Sequence, residues 1–180
     1  MNWRVALLKR WIPEKARADE IWATFMTFAV RHFHQLCAAV GEARARAMYT
    51  EIAEQLGREM GERLRAQTHL TAGRPQSAVD AWQIAIRLLR FRAHITPVSN
   101  GRAVDFDHVR DPLWEAFRQE GVLLCDCTCI PMTRAIARVF WPDAEVEWTR
   151  EPTDTRPCIK RLILSPPDDV ETTDAETRDR

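Results

Sequence analysis

FRAHITPVSNGRAVDFDH, residues 91–108, is the stretch in which the chain changes period. Up to Arg90 its apolar residues recur at helical intervals. From Phe91 to Val98, and again from Arg102 to His108, the residues read as strands. Between them stands Ser99-Asn100-Gly101, and Asn-Gly supplies the positive φ angles that a tight hairpin needs. A hairpin here ends a helical half and begins a sheet.

Toward the N-terminus, Ile21, Trp22, Phe25, Phe28, Ala29, Phe33, Leu36 and Val40 fall on one side of a helix predicted from about Ala16 to Val40. His32 lies within that apolar arc, whereas His34 points away from it. Gly41 punctuates, and Met48, Tyr49, Ile52, Leu56, Met60 and Leu64 stripe a second helix from Glu42 to Ala66. Thr71 to Pro75 break the pattern. Ser77 and Asp80 resemble a capping box for a third helix that carries Val79, Trp82, Ile86 and Leu89.

Toward the C-terminus, Asp111-Pro112 opens a short helix that runs to Glu120 and ends at Gly121. Val122 to Ile130 read as extended, Pro131 to Phe140 as helical, and Ala144 to Thr149 and Cys158 to Leu164 as strands. Helices first and strands afterwards predict an α+β fold, with N-terminal long antiparallel helices packed on a small antiparallel sheet in the second half.

Residues 1–164 are expected to form one domain, since 180 residues suit a single core. Residues 165–180, SPPDDVETTDAETRDR, carry six acidic side chains and almost nothing apolar, which predicts a disordered acidic tail. The opening segment reads as a short amphipathic helix that presses Trp3, Leu7 and Trp11 on a partner. Its apolar run is too short for a signal peptide, so a cytoplasmic location is expected. Lys+Arg and Asp+Glu both total 26. A formal net charge of zero argues against nucleic acid, and no stretch is apolar enough for a membrane partner.

Five cysteines leave one over if all paired, and three crowd together in LLCDCTCIP. On an extended segment Cys125, Cys127 and Cys129 share one side, with Asp126 and Thr128 opposite. A helix beginning at Pro131 would put Cys129 just ahead of its positive end, where a thiolate is favoured. Three readings stay open. The thiols are nucleophiles or substrate ligands, or they bind a soft ion such as zinc with Cys158 completing a Cys125, Cys127, Cys129, Cys158 set, or they are buried packing. His32 is a candidate base and equally a core histidine. Arg134 and Arg138, one turn apart, could clamp a carboxylate, as could Arg150 or Arg161. Trp114, Trp141 and Trp148 flank the cysteines and could line a pocket.

PLWEAFRQEGVLLCDCTCIPMTRAI, residues 112–136, and WPDAEVEWTREPTDTRPCIKRL, residues 141–162, resemble the L-2-amino-thiazoline-4-carboxylic acid hydrolase family and, more distantly, vinyl-reductase-type small-molecule-binding domains. Two positions depart from that pattern. Thr128 stands where an Asp is expected, and Arg156-Pro157 replace a Gly before the last Cys. The resemblance implies a hydrolase of a small heterocycle or amide. Cys125 and Cys129 would be its nucleophiles, Asp126 or His32 its base, Arg134 the anchor of a substrate carboxylate, and Cys127 and Trp148 further substrate contacts. The alternative is a non-catalytic module that binds a small molecule or a metal through its cysteines. A third expectation is a homo-oligomer or a partner protein held through the N-terminal helices.

Overall fold

The structure is a computed structural model that describes residues 13–164; the expectations for the opening segment and the acidic tail lie outside these residues. Its order is α1 (Glu14–Val40), α2 (Glu42–Thr68), α3 (Pro75–Leu88), β1 (Arg92–Val98), β2 (Ala103–Arg110), α4 (Pro112–Gln119), α5 (Cys129–Arg138), β3 (Glu145–Arg150) and β4 (Ile159–Ile163). The fold is α+β, with the long helices first and a four-stranded antiparallel sheet of order β1-β2-β4-β3 in the second half.

Gly41, at φ 85°, turns α1 into α2. Asn100 and Gly101 both take positive φ at the tip of the β1–β2 hairpin, as their types favour, and Ser99 joins them. The third helix begins two residues before the expected Ser77. Pro75 fixes the first turn, and Ser77 is buried inside the helix with no capping bond, so the capping box is not formed. Asp111 does cap α4, its carboxylate accepting from the Trp114 backbone N–H at 3.0 Å.

α2 packs most extensively on α5. Two glycines make this approach close. A Cβ on Gly57 would sit 2.4 Å from the Met132 carbonyl oxygen, and one on Gly61 would sit 2.7 Å from Val139 Cγ2. α3 and α5 lie against the sheet, where Trp82 stacks on Phe106 with ring centroids 3.9 Å apart. α1 rests mainly on α2 and α4, tied to α2 where the Tyr49 hydroxyl donates to the Ala29 carbonyl at 2.6 Å and paired through Asp19 to Arg90. It therefore keeps Ile21, Phe25 and Phe28 in solvent.

The segment from Val122 to Ile130 corrects the sequence reading. It is a turn and not a strand. The Thr128 N–H donates to the Leu124 carbonyl at 2.9 Å, and the Ile130 N–H to the Cys125 carbonyl at 3.0 Å. These bonds wind residues 125–128 directly into α5, which starts at Cys129 rather than after it. A spacing of two, read as strand alternation, is here a tight turn in which positions four apart meet.

Candidate functional site

Winding the turn separates the three thiols. Cys125 and Cys129 come together on its inner side, while Cys127 turns toward α2 and the Arg46 guanidinium. Cys125, Cys127, Cys129 and Cys158 are each 2% exposed or less. The inner pair faces β4, whose alternation, continued from Cys158 just before it, sends Cys158, Lys160 and Leu162 into the core. Lys160 is 1% exposed, and Asp111 and His108 are buried beside it.

This buried polar cluster sets its own charges. Burial works against the Lys160 ammonium, yet the Cys129 and Cys158 sulfurs and the Asp111 carboxylate raise its pKa above the ordinary value. The Cys129 pKa is lowered, first by the neighbouring Cys125 thiol, against the opposing effect of burial, and further by Lys160 and the Thr128 hydroxyl at 3.6 Å. Cys129 is thereby the most readily ionised thiol of the set. Cys125, which serves as its donor, is pushed up, and burial pushes Cys127 up to about 12 and Cys158 up to about 11.

His108 Nδ1 lies 3.2 Å from Asp111 Oδ2, too poorly aligned for a good hydrogen bond. Burial and then Lys160 lower the His108 pKa. Burial would raise Asp111, but His108 and Lys160 outweigh it and lower its pKa. A small cavity of about 10 Å³, room for one water-sized molecule, lies among Cys129, Lys160, His108, Thr133 and Trp82. His108 lines it, and the His108 Nε2 has no hydrogen-bond partner among the described residues.

These shifts fix an acid limb of stability. An unfolded His108 takes up a proton near its ordinary value of 6.5, and the folded one resists it, so the unfolded state binds more protons as pH falls below 6.5. Asp111, held low when folded, adds a further loss as pH drops below its ordinary 3.8 toward its folded value. Urea unfolding midpoints should decline from pH 7 to pH 5, and His108→Gln should flatten that decline. An unchanged slope in the variant would remove His108 from this role.

The remaining sequence candidates are scattered. His32 is exposed on α1, where its Nδ1 is 3.1 Å from the Tyr49 hydroxyl, so no base from α1 reaches the thiols. Asp126 points outward and is held by Arg46 at 2.8 Å. Arg134 is paired to Glu145 at 3.1 Å and donates to the Val146 carbonyl at 3.3 Å, which occupies the proposed carboxylate clamp. Arg138 meets the same Glu145. Trp148, half-buried on β3, lines neither cavity, and Trp114 donates to the Thr153 carbonyl at 2.8 Å. Among the described residues no three His, Cys, Asp or Glu side chains are grouped so as to hold a metal ion, because Lys160 occupies the centre that the sulfurs face and Cys127 has turned away. The zinc expectation is therefore corrected.

Lys160, His108 and Asp111 escaped the sequence reading. The signal was present in the alternation Cys158-Ile-Lys160-Arg-Leu162, which puts the lysine on the same face as a cysteine and a leucine.

A second feature lies on the other side of the turn. α1 and α2 border an apolar groove of about 410 Å³, lined by Trp22, Phe25, Ile52 and Leu56 and, beneath them, by Leu124 and Met132. Met132 and Leu89 line both this groove and the small cavity, so they separate the two. No helix among the described residues is long and apolar enough to cross a membrane.

No protein-family model matches this chain, and no curated protein does. Among solved structures the chain is similar to a trafficking protein particle complex subunit 3 from Naegleria fowleri, crystallised covalently bound to palmitic acid. The TM-score is 0.54 and the identity 12%, over 79% of this chain and 96% of that one. This likeness concerns the fold, and it overturns the resemblance to thiazoline-carboxylate hydrolases and to vinyl-reductase-type domains. The cysteine-hydrolase reading falls with it, as does the reading of a small-molecule or metal module with cysteine ligands. Physically, the thiols are sealed in the core, and Asp126, which meets Cys127, raises that thiol's pKa instead of activating it. In fold, the chain is similar to a subunit of a trafficking particle and not to the hydrolases that its second half had suggested.

Proposed function

We propose that this chain is a non-enzymatic assembly subunit that docks a partner protein along the apolar face of α1 and α2. The observation that carries the reading is the set Ile21, Phe25 and Phe28 on α1, 63%, 58% and 66% exposed, beside Ile52 and Leu56 on α2 at 49% and 48%. Large apolar side chains gathered on one face mark an interaction surface, whereas scattered single ones do not. Support also comes from the fold likeness to a protein named as a subunit of a particle complex. The partner would present an apolar helical face, the usual complement of an apolar groove bordered by two helices.

The test is the size of the particle. Purified gently from the cell that makes it, the wild-type chain should run in assemblies heavier than its own 20.9 kDa. The double variant Phe25→Asp/Phe28→Asp should run alone with unchanged circular dichroism. A wild-type chain that already runs as a single copy sinks the reading.

One observation favours a second reading of the same groove. Its walls are almost wholly apolar and its volume is in the range that holds an extended ligand. Palmitic acid bound to the fold neighbour makes an acyl chain the candidate occupant. Fatty-acid analysis of denatured protein should then recover near-stoichiometric acyl chain from the wild type and little from Leu56→Trp, which fills the groove. Acyl-free wild-type protein rules this reading out.

A further inference from the structure

We infer that residues 1–12 fold back at Pro13 and seat Trp3 on the Trp22 end of the apolar groove, so that the chain covers part of its own docking face. Only the consequence for assembly rests on the assembly reading; the seat itself does not.

The segment that would fill the groove is the one next to it in the chain. Residues 1–12, MNWRVALLKRWI, immediately precede the described residues, and wound as a helix they put Trp3, Leu7 and Trp11 on one side at intervals of four. They cannot extend α1 backwards. Pro13 has φ −53° and ψ 136°, which is extended and not helical, and a proline also holds the residue before it, Ile12, out of helical backbone. The chain changes direction where α1 begins.

The lengths then agree. Trp22 stands nine residues after Pro13, about 14 Å along α1, and Trp3 stands ten residues before it, about 15 Å along a helix of its own. A segment reversed at Pro13 and laid along α1 therefore brings Trp3 level with Trp22 and next to Phe25, and Leu7 within a turn of Ile21. These are surfaces in want of a cover. Ile21 and Phe25 are bare among the described residues, and Trp22, Phe25, Leu56 and Met60 line that part of the groove.

The tether adds an advantage that no free partner has. A short linker presents its segment at an effective concentration on the order of millimolar, so a partner must out-compete it for the same apolar face. The cover is partial, since a helical segment ends about 7 Å short of Phe28. Phe28 and His32 remain as the first foothold, from which a partner displaces Trp3 from the rest.

The test uses the full-length chain at low concentration with a photoreactive benzophenone amino acid in place of Trp3, half of the sample labelled with heavy nitrogen. Irradiation should join position 3 to peptides that carry Trp22, Phe25, Leu56 or Met60, and each linked pair should be of one isotope, as a bond within one chain requires. Leu7→Glu/Trp11→Glu should lower that yield several-fold. The same two changes in a chain with its native Trp3 should raise the binding of an apolar fluorescent dye several-fold, with circular dichroism unchanged. Links that mix the isotopes would make the occupant a second copy, and links outside the groove, or none, would leave it uncovered; each of these overturns the inference. Particle size is read separately, so a chain that runs alone yet carries the link loses the assembly reading and keeps the seat, and heavy particles without the link do the reverse.

Discussion

Gly57→Val should lower the free energy of unfolding by about 3 kcal/mol, the upper end of what overpacking costs. The added Cβ alone would fall 2.4 Å from the Met132 carbonyl oxygen and 2.8 Å from the Ala135 Cβ. Both belong to the frame of α5, so no rotamer change relieves the clash. The helices must part, and α2–α5 is the most extensive packing in the molecule. Gly57→Ala meets the same obstacle, partly offset by roughly 1 kcal/mol of better helix propensity, and should cost less. Gly61→Ala is milder again, because its first obstacle is the Val139 side chain. Chemical denaturation of the three variants should rank them in that order. A neutral or stabilising Gly57→Ala would mean that α2 and α5 do not approach this closely.

Lys160→Met carries the second large effect, a loss of about 3–5 kcal/mol, the range for breaking a buried charge pairing by deleting one member. The isostere fills the space, so the loss is electrostatic. The Asp111 carboxylate would keep its charge in the core without the ammonium that faces it. Adding Asp111→Asn should recover part of the stability, since it removes one stranded charge. Thiolate absorbance should report a higher Cys129 pKa in the single variant. Additive losses in the double variant would show the two residues to be uncoupled.

The same cluster gives the alkaline side of the stability curve. Cys158 and Cys127 remain thiols when folded, whereas unfolded they ionise near 9. The unfolded state then holds fewer protons than the folded one, and stability falls as pH rises past 9. Lys160 acts later, because its contribution is kept below its ordinary value and lost only as pH passes its raised folded one.

The helix pair, the hairpin at Ser99-Asn100-Gly101 and the last two strands were legible because each has a period or a turn signal of its own. The cysteine segment was not. Cys-Asp-Cys-Thr-Cys alternates like a strand, and nothing local reveals that Leu124 and Cys125 will accept bonds from four and five residues ahead. That error placed three thiols on one side, and the resemblance to a hydrolase family then supplied Asp126 and His32 as their partners. The exposure of Phe25 and Phe28 was equally hidden, since a helical stripe says which residues share a face and not whether a neighbour covers it. Lys160 was readable from strand alternation, but a charged residue in a strand is ordinarily assigned to solvent.

The glycine seam has a mechanical consequence. Because Gly57 and Gly61 let α2 bed directly on the backbone of α5, those two helices and the cysteine turn between them form one stiff block. α1 has no such seat: it meets the rest of the molecule through the turn at Gly41, the Tyr49 hydrogen bond, its packing on α4 and surface ion pairs to Arg90 and Glu120. A ligand or partner in the groove therefore presses on α1 without meeting the thiols and the ammonium, which lie beyond Met132 and Leu89.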